Sequence, residues 1–395
     1  MTPSPTSISP ERIIENIESS GLRGRGGAWF PAARKWRAVR AEGGEAVVVG
    51  NGAEGEPGSI KDRYVLRHRT LEVLEGLEIA AQALGAREAL LYLKGSFAAE
   101  SQALETALGD RPRATSVRVS RGEDGYIAGE ETAVLEALEG RRGWPRPKPP
   151  LPYAVGYKGR PTLVQNVETL SLVGRAVRDP VGFRGAESTL VSLWGHVRRP
   201  GVYEVQLGTK ILEIVDRFGE GAPEGVGMIF PGGPSSPPLD SGGLGLPLDP
   251  DALKSAGSAL GTGSLLIIGK PLCPLSVAVS LAAFFERESC LQCPPCSVGT
   301  RSLARIVRQL EDGTARLADL RALEETAGFM TDHGYCAHGR TGATVIRGLL
   351  ARFGASVEEH LQSRGCPGGK ADPFAAHSAE RTAIEAALEK AGPAA

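Results

Sequence analysis

A chain of 395 residues is long enough for two or three domains and a sizeable core, so nothing about its size calls for staples. Its 45 Lys and Arg against 46 Asp and Glu leave a net charge of -1, which removes the electrostatic case for nucleic acid or an anionic membrane surface. No apolar run approaches membrane-spanning length, none precedes Ser9, and six cysteines clustered at ligand spacing favour a reducing cytoplasm over a disulfide-stapled secreted setting.

Ser9-Pro10-Glu11 reads as an N-cap, a first-turn proline and an acidic first turn, followed by Ile13, Ile14 and Ile17 on one face and Gly21 as a stop. This short helix delivers the chain into a glycine-rich loop. Residues 46–49, 90–93 and 116–119 read as strands, with amphipathic helical stretches near 64–84 and 97–108 between them. Strand and helix alternate, which predicts an α/β sheet domain. Pro145 to Pro152 is too rich in proline for helix or central strand and reads as an extended arm.

A second unit begins near Leu190, where 190–197 and 201–205 form a hairpin about Arg199-Pro200, and Thr209 is placed to cap a helix reaching about Phe218. This segment is similar to a small ligand-binding β-grasp insert. A buried-looking strand follows at 265–268, and from about 275 to 355 the apolar residues recur at helical spacing. The expected division is an α/β domain over 1–185, a β-grasp (SLBB-like) domain over 186–250, and a helical domain with a flexible tail over 251–395.

The chemistry is densest at Cys290-x-x-Cys293-x-x-Cys296, answered by Cys336. Four thiolates suit a 4Fe-4S cluster, and the i, i+3, i+6 spacing turns three sulfurs toward one centre while Pro294 and Pro295 stop the segment from continuing as a regular helix. Structural zinc also takes four thiolates, although more often as two separated pairs, and four buried thiols are the plainest alternative. Cys273 reads as a core thiol, and Cys366 falls in the tail beside Pro367-Gly368-Gly369.

Three loops carry further candidates. Residues 21–28, Gly-Leu-Arg-Gly-Arg-Gly-Gly-Ala, offer a backbone that can approach a phosphate closely, with Arg23, Arg25 and Lys35 as charge partners. The loop fails as a dinucleotide fingerprint, because Trp29 stands where the last glycine belongs and a helix, not a strand, precedes it. Taken alone it fits a tight turn with solvated arginines equally well. Asn51 to Gly58 places Glu54 and Glu56 after a strand's carboxyl end, and Gly129-Glu130-Glu131 runs into a helix, where either acid pair also suits a helix first turn.

In this order, residues 21–28, 54–63, 126–133, 159–170 and 289–296 resemble the NADH-oxidising flavoprotein subunit of respiratory complex I, a family also found in soluble hydrogenases and formate dehydrogenases. The resemblance runs from about residue 9 to 360. It implies FMN in the α/β domain, a 4Fe-4S cluster on Cys290, Cys293, Cys296 and Cys336, and NADH as hydride donor. Gly24, Arg25, Gly26, Gly27, Lys35, Asn51, Glu54, Gly129, Glu130, Asn166 and Thr169 match flavin-side positions. Tyr126, Lys148, Glu56 and Glu131 match the nicotinamide side, the last two as the catalytic pair. A small iron–sulfur protein, ferredoxin-like or a 2Fe-2S subunit, is the implied partner in a hetero-oligomer, without nucleic acid or direct membrane insertion.

Departures from the family pattern gather on the donor side. Trp29 stands for a glycine, Ala53 for an acid, Gln165 for an asparagine, and Ala38 and Leu151 near positions of two adenine-stacking phenylalanines. Losing such stacking, at roughly 0.5–1.5 kcal/mol per pair, implies NADH binding weakened by about one to two orders of magnitude. Two other readings compete with an NADH oxidase: a flavin and cluster relay between ferredoxin-like carriers, and a non-catalytic scaffold.

Overall fold

The computed structural model describes residues 8–109 and 114–367. It divides into two compact units, the first holding the chain up to Gly55 together with Ile60–Thr189, the second Glu56–Ser59 and the chain from Leu190 on.

The first unit opens with α1 (Pro10–Ser20), capped as its sequence requires. Ser9 Oγ accepts from the Arg12 N–H at 3.3 Å, and Gly21, at φ 73°, closes the helix with its N–H on Glu18 O. After α2 (Ala32–Ala41), β1 (Val47–Gly52) is followed by α3 (Lys61–His68) and α4 (Thr70–Leu84). The stretch near 64–84, expected as one helix, is thus two, broken at Arg69, whose φ of -132° is not helical. β2 (Glu88–Lys94), α5 (Ala98–Leu108), β3 (Ser116–Gly122), α6 (Glu131–Leu138), β4 (Thr162–Asn166), α7 (Val167–Arg178) and α8 (Pro180–Gly185) complete the unit. Residues 145–150 form neither helix nor strand.

All neighbours in the four-stranded sheet, ordered β3-β2-β1-β4, are parallel. β1 is the switch strand, with β2 on one side and β4 on the other. At such a reversal the loops leaving two adjacent strands diverge and open a crevice at their carboxyl ends. The register places Asn51 at the end of β1 directly opposite Asn166 at the end of β4. Behind the sheet α4 and α7 meet backbone to backbone, since a Cβ on Gly76 would lie 1.9 Å from Leu170 O.

The second unit's sheet runs β6-β5-β9-β7-β8, from β5 (Ser188–Gly195, which straddles the unit boundary), β6 (Gly201–Gln206), β7 (Val226–Phe230), β8 (Leu239–Asp240) and β9 (Ser264–Gly269). The strand expected at 265–268 is its fully buried centre, parallel to β5 and antiparallel to β7. The cap assigned to Thr209 is corrected. Its hydroxyl is spent on Gln206 O at 2.8 Å in the preceding turn, and α9 (Ile211–Arg217) starts after Lys210 without a side-chain cap.

α10 (Pro250–Ser255) precedes β9, and α11 (Pro274–Arg287), α12 (Pro294–Glu311), α13 (Leu317–His333), α14 (Ala337–Arg352) and α15 (Gly354–Ser363) follow it as the helical region anticipated from the spacing. Leu281, Phe285, Leu303, Val307, Met330 and Ile346 are buried within it. The tail expected to be flexible lies, from Gly368 on, outside the described residues. No helix among the described residues is long and apolar enough to cross a membrane.

Candidate functional site

The crevice at the ends of β1 and β4 contains a cavity of about 320 Å³, within the range of small-molecule sites. Its walls include Gly24, Gly26, Trp29, Phe30, Lys35, Asn51, Gly129, Glu130, Glu131, Lys148, Asn166 and Thr169. Local structure explains how segments so far apart in sequence meet. The glycine loop is pinched at its neck by Gly24 N–H on Phe30 O and Ala32 N–H on Leu22 O, both at 2.9 Å. Asn51 ties the β1 end to the turn before α6, donating from Nδ2 to Gly129 O at 2.9 Å and accepting the Ala53 N–H at 3.1 Å. Thr169 Oγ1 accepts the Arg25 N–H at 2.8 Å, fastening the glycine loop to α7.

Two helices present their N-termini to the cavity. Glu130 caps α6 through the N–H groups of Thr132 and Ala133, and Asn166 caps α7 through Glu168 and Thr169. The positive ends of both helix dipoles favour an anionic ligand there. Above them, Lys148 Nζ reaches Glu130 at 2.7 Å and Glu131 at 2.8 Å, while Lys35 Nζ holds Glu131 at 3.1 Å. Burial opposes charge on Glu131, but Lys35 and Lys148 outweigh it and lower its carboxyl to about 2. Burial likewise works against Lys148, whose pKa is nonetheless raised by Glu130 and Glu131.

Behind Asn166 lies a buried charge cluster. Asn166 Nδ2 donates to Asp62 at 2.7 Å, and Lys61 Nζ sits 2.6 Å from Asp62 and 2.9 Å from Glu168. Burial pushes the Asp62 carboxyl up against the opposing pull of Lys61, and Glu54 and Glu168 add to the rise.

Trp29 departs from the family's glycine at a position whose backbone conformation suits glycine. It stands in the left-handed region at φ 52°, where a glycine is at ease and a bulky side chain is strained. The indole, 4 % exposed, lies against the Arg25 guanidinium at 4.2 Å, and its carbonyl accepts from Arg23 Nε at 2.7 Å. It is therefore part of the wall of a cavity that remains open at the ends of β1 and β4.

Not every expected residue reaches the cavity. Gly27 and Tyr126 are not on its walls. Arg25 is buried on Glu187 at 2.7 Å and on the carbonyls of Arg23 and Ser188, where it supports the loop from behind. Glu54 accepts from the N–H groups of Asp62 and Arg63 at the start of α3. Glu56 belongs to the second unit, accepting from Ser235 N–H at 2.8 Å and Ser235 Oγ at 2.6 Å. Conversely Phe30, half-exposed on the cavity wall, was missed although an aromatic beside a glycine run is a visible signal. Ala28, Ala32 and Val164 also line it and carry no such signal.

A nucleotide fits these walls because the glycines are enforced. A Cβ on Gly129 would stand 2.4 Å from Ala53 O, and one on Gly26 would press on Asn166 Cβ at 3.3 Å. Backbone thus stands bare where a ligand would lie, with two helix N-termini and two ammonium groups at hand.

In the second unit three of the four cysteines stand at two more helix starts, and Cys290 precedes the first of them. Cys293 is the N-cap residue of α12, with Cys296 in its first turn, and Cys336 is the N-cap residue of α14. Leu291, at φ 63°, sharply turns the backbone between Cys290 and Cys293. The starts of α12 and α14 are pressed together, for a Cβ on Gly339 would lie 3.4 Å from Cys296 Sγ. Burial raises the Cys296 thiol to about 11, with Cys293 and Cys290 adding to the rise and the Ser289 hydroxyl opposing it. Taking up a metal centre must therefore displace that proton.

Residues 17–175 match the model of the Nuo51 FMN-binding domain, and 276–360 match the NADH-ubiquinone oxidoreductase-F iron-sulfur binding region. An F-type NADH-quinone oxidoreductase subunit of Rhizobium meliloti (strain 1021) is 36% identical over 382 residues, covering 91% of each chain. The chain belongs to the F-type NADH-quinone oxidoreductase subunits. The corresponding F-type protein of Streptomyces coelicolor is 35% identical, over 96% of this chain and 89% of its own. An NAD+-reducing [NiFe]-hydrogenase in the air-oxidized state matches with a TM-score of 0.83 and 32% identity, over 90% of this chain and 63% of the hydrogenase chain.

The chain is thus an NADH-oxidising oxidoreductase of FMN and a 4Fe-4S cluster. For the cysteine-bearing region the iron–sulfur match decides against the zinc alternative. Neither the relay without NADH nor the scaffold finds support among these relatives.

Proposed function

We propose that the cavity of the first unit receives FMN and the nicotinamide end of NADH, and that Cys290, Cys293, Cys296 and Cys336 hold the cluster. The observation that carries this reading is the convergence, at one sheet switch point, of glycine-enforced backbone with the Lys35–Glu131–Lys148–Glu130 chain of charges. When bound, FMN supplies the exchange between the two-electron chemistry of NADH and the one-electron chemistry of an iron–sulfur cluster.

The protein's part is binding and orientation. Gly24, Gly26 and Gly129 give close approach, and the N-termini of α6 and α7 with Lys35 and Lys148 meet phosphate charge. Glu131 remains a carboxylate at neutral pH, so it serves as an acceptor for ligand hydroxyl or amide donors and moves no proton. Asn51, Asn166 and Thr169 fix the walls to one another. Arg25, Glu54 and Gly27 hold the loops that carry those walls, while Tyr126 precedes the α6 turn and Glu56 anchors Ser235 in its own unit. Phe30 offers the one half-exposed aromatic face among the lining residues for a ring to stack on.

A small iron–sulfur protein is the proposed recipient of the electrons, in a cytoplasmic hetero-oligomer. The names of the relatives, which mark them as subunits, support the hetero-oligomer. The test is an anaerobic visible spectrum before and after NADH. Flavin bands that bleach support the reading. Bands that persist at millimolar NADH yet fall with dithionite would refute NADH as donor.

A further inference from the structure

We infer that Cys273, His360 and Cys366 form a zinc site distinct from the four cluster cysteines. Cys273 was expected as a core thiol and Cys366 in an unplaced tail. Instead Cys273 is a half-buried N-cap residue of α11, and Cys366 is brought back beside α15. The return is made by Arg364, left-handed at φ 54°, and by the Gly365 N–H on His360 O at 3.2 Å. Backbone at Gly313, after α12, stands against this turn so closely that a Cβ there would lie 2.5 Å from Arg364.

The sulfurs of both cysteines and a ring nitrogen of His360 lie within 4.8 Å of one another, and Cys273 Sγ is 3.2 Å from His360 Nε2. Tetrahedral zinc, with bonds of about 2.3 Å to sulfur and 2.0 Å to nitrogen, needs its ligands about 3.5–3.8 Å apart. Closing the group around one ion asks for side-chain shifts of about 1 Å or less. The histidine is already in the required tautomer. Its Nδ1 stands 2.6 Å from Ser356 O, a carbonyl that can only accept, so Nδ1 carries the proton and Nε2 presents its lone pair to the cysteine. A ring nitrogen anchored on a backbone carbonyl is the usual support of a metal-bound histidine, and this ring is 2 % exposed.

The donor set selects the metal. Two thiolates and one imidazole favour zinc over magnesium or calcium, and three protein ligands leave the fourth position to water. Binding one Zn²⁺ releases the two thiol protons, with no electron transferred. In sequence, all four cluster cysteines lie between residues 273 and 366, so the ion would join the two ends of the cluster-bearing segment.

The test uses the full-length holoprotein from zinc-supplemented growth. Metal analysis is expected to give about one zinc beside about four irons per chain. Zinc-edge X-ray absorption is expected to show two sulfurs at about 2.3 Å with nitrogen and oxygen neighbours near 2.0 Å. Cys366→Ser should lower zinc at least tenfold with iron unchanged, and Cys293→Ser should do the reverse. Absence of zinc, a four-sulfur zinc shell, zinc retained in a Cys366→Ser/His360→Gln variant, or a Cys273–Cys366 disulfide in the isolated protein would each overturn the assignment. The absorption spectrum needs no variant, so the outcome does not depend on how well substituted chains fold.

Discussion

Replacing Trp29 by alanine and by glycine is expected to reverse the usual order of the two small residues. The indole is buried, and truncating a buried tryptophan costs about 3–5 kcal/mol. Alanine suffers this loss and still occupies the left-handed conformation at φ 52°, which costs an L-residue about 1–2 kcal/mol. Glycine loses the same packing but is free of that strain, so its net cost is about 1–4 kcal/mol. Against this, glycine gives back about 0.5–1 kcal/mol through the greater freedom of its unfolded chain. The glycine variant should therefore be the more stable of the two by about 1 kcal/mol, a midpoint shift of about 0.3–1 M in urea. Urea unfolding of the full chain, followed by far-ultraviolet circular dichroism at two FMN concentrations, separates this difference from any change in flavin affinity. An alanine variant equal to or more stable than the glycine variant would show that Trp29 is not held in a strained backbone.

Glu131→Gln should destabilise the protein at pH 7 and by roughly half as much or less at pH 3. The carboxyl lies at about 2 against an ordinary 4.5, so its stabilisation is full above about pH 4.5 and fades as pH falls toward 2. Of the roughly 3 kcal/mol that gap represents, partial exposure of the side chain leaves about 1–2. Equal losses at both pH values would contradict the role of Lys35 and Lys148. Gly129→Ala should release most of the bound FMN, since its Cβ meets Ala53 O at 2.4 Å, and flavin retained through gel filtration at the wild-type ratio would refute the tight approach. Cys293→Ser should remove the iron–sulfur absorbance and leave the flavin bands in place; four irons retained would refute its place as a ligand.

Local chemistry was legible where it is complete within a few residues. The α1 cap and its Gly21 stop, the strands β1 to β3 and the cysteine spacing each depend on near neighbours and were readable. The break at Arg69 was not, because both helices continue the same apolar stripe across one non-helical residue. Thr209 misled for the opposite reason, a capping residue whose hydroxyl had a nearer acceptor in Gln206. Pairings across long separations lay beyond sequence reading altogether. Glu56 meets Ser235, Arg25 meets Glu187, and Cys273 meets His360, and no spacing rule links residues that far apart. The register of Asn51 beside Asn166 likewise emerges only once the strand order is known.

The parallel pairing of β1 with β4 also sets an order of assembly. β1 cannot gain its second neighbour until residue 166 has been made, and the cavity walls are complete only at Thr169. Cys336, the last of the four cysteines proposed to hold the cluster, follows about 170 residues later, which at roughly 5–20 residues per second is some 10–30 s of synthesis. The proposed flavin compartment can therefore close on a nascent chain before the proposed iron–sulfur ligands all exist, and on this reading cluster insertion becomes a finishing step performed on a polypeptide whose first unit is already built.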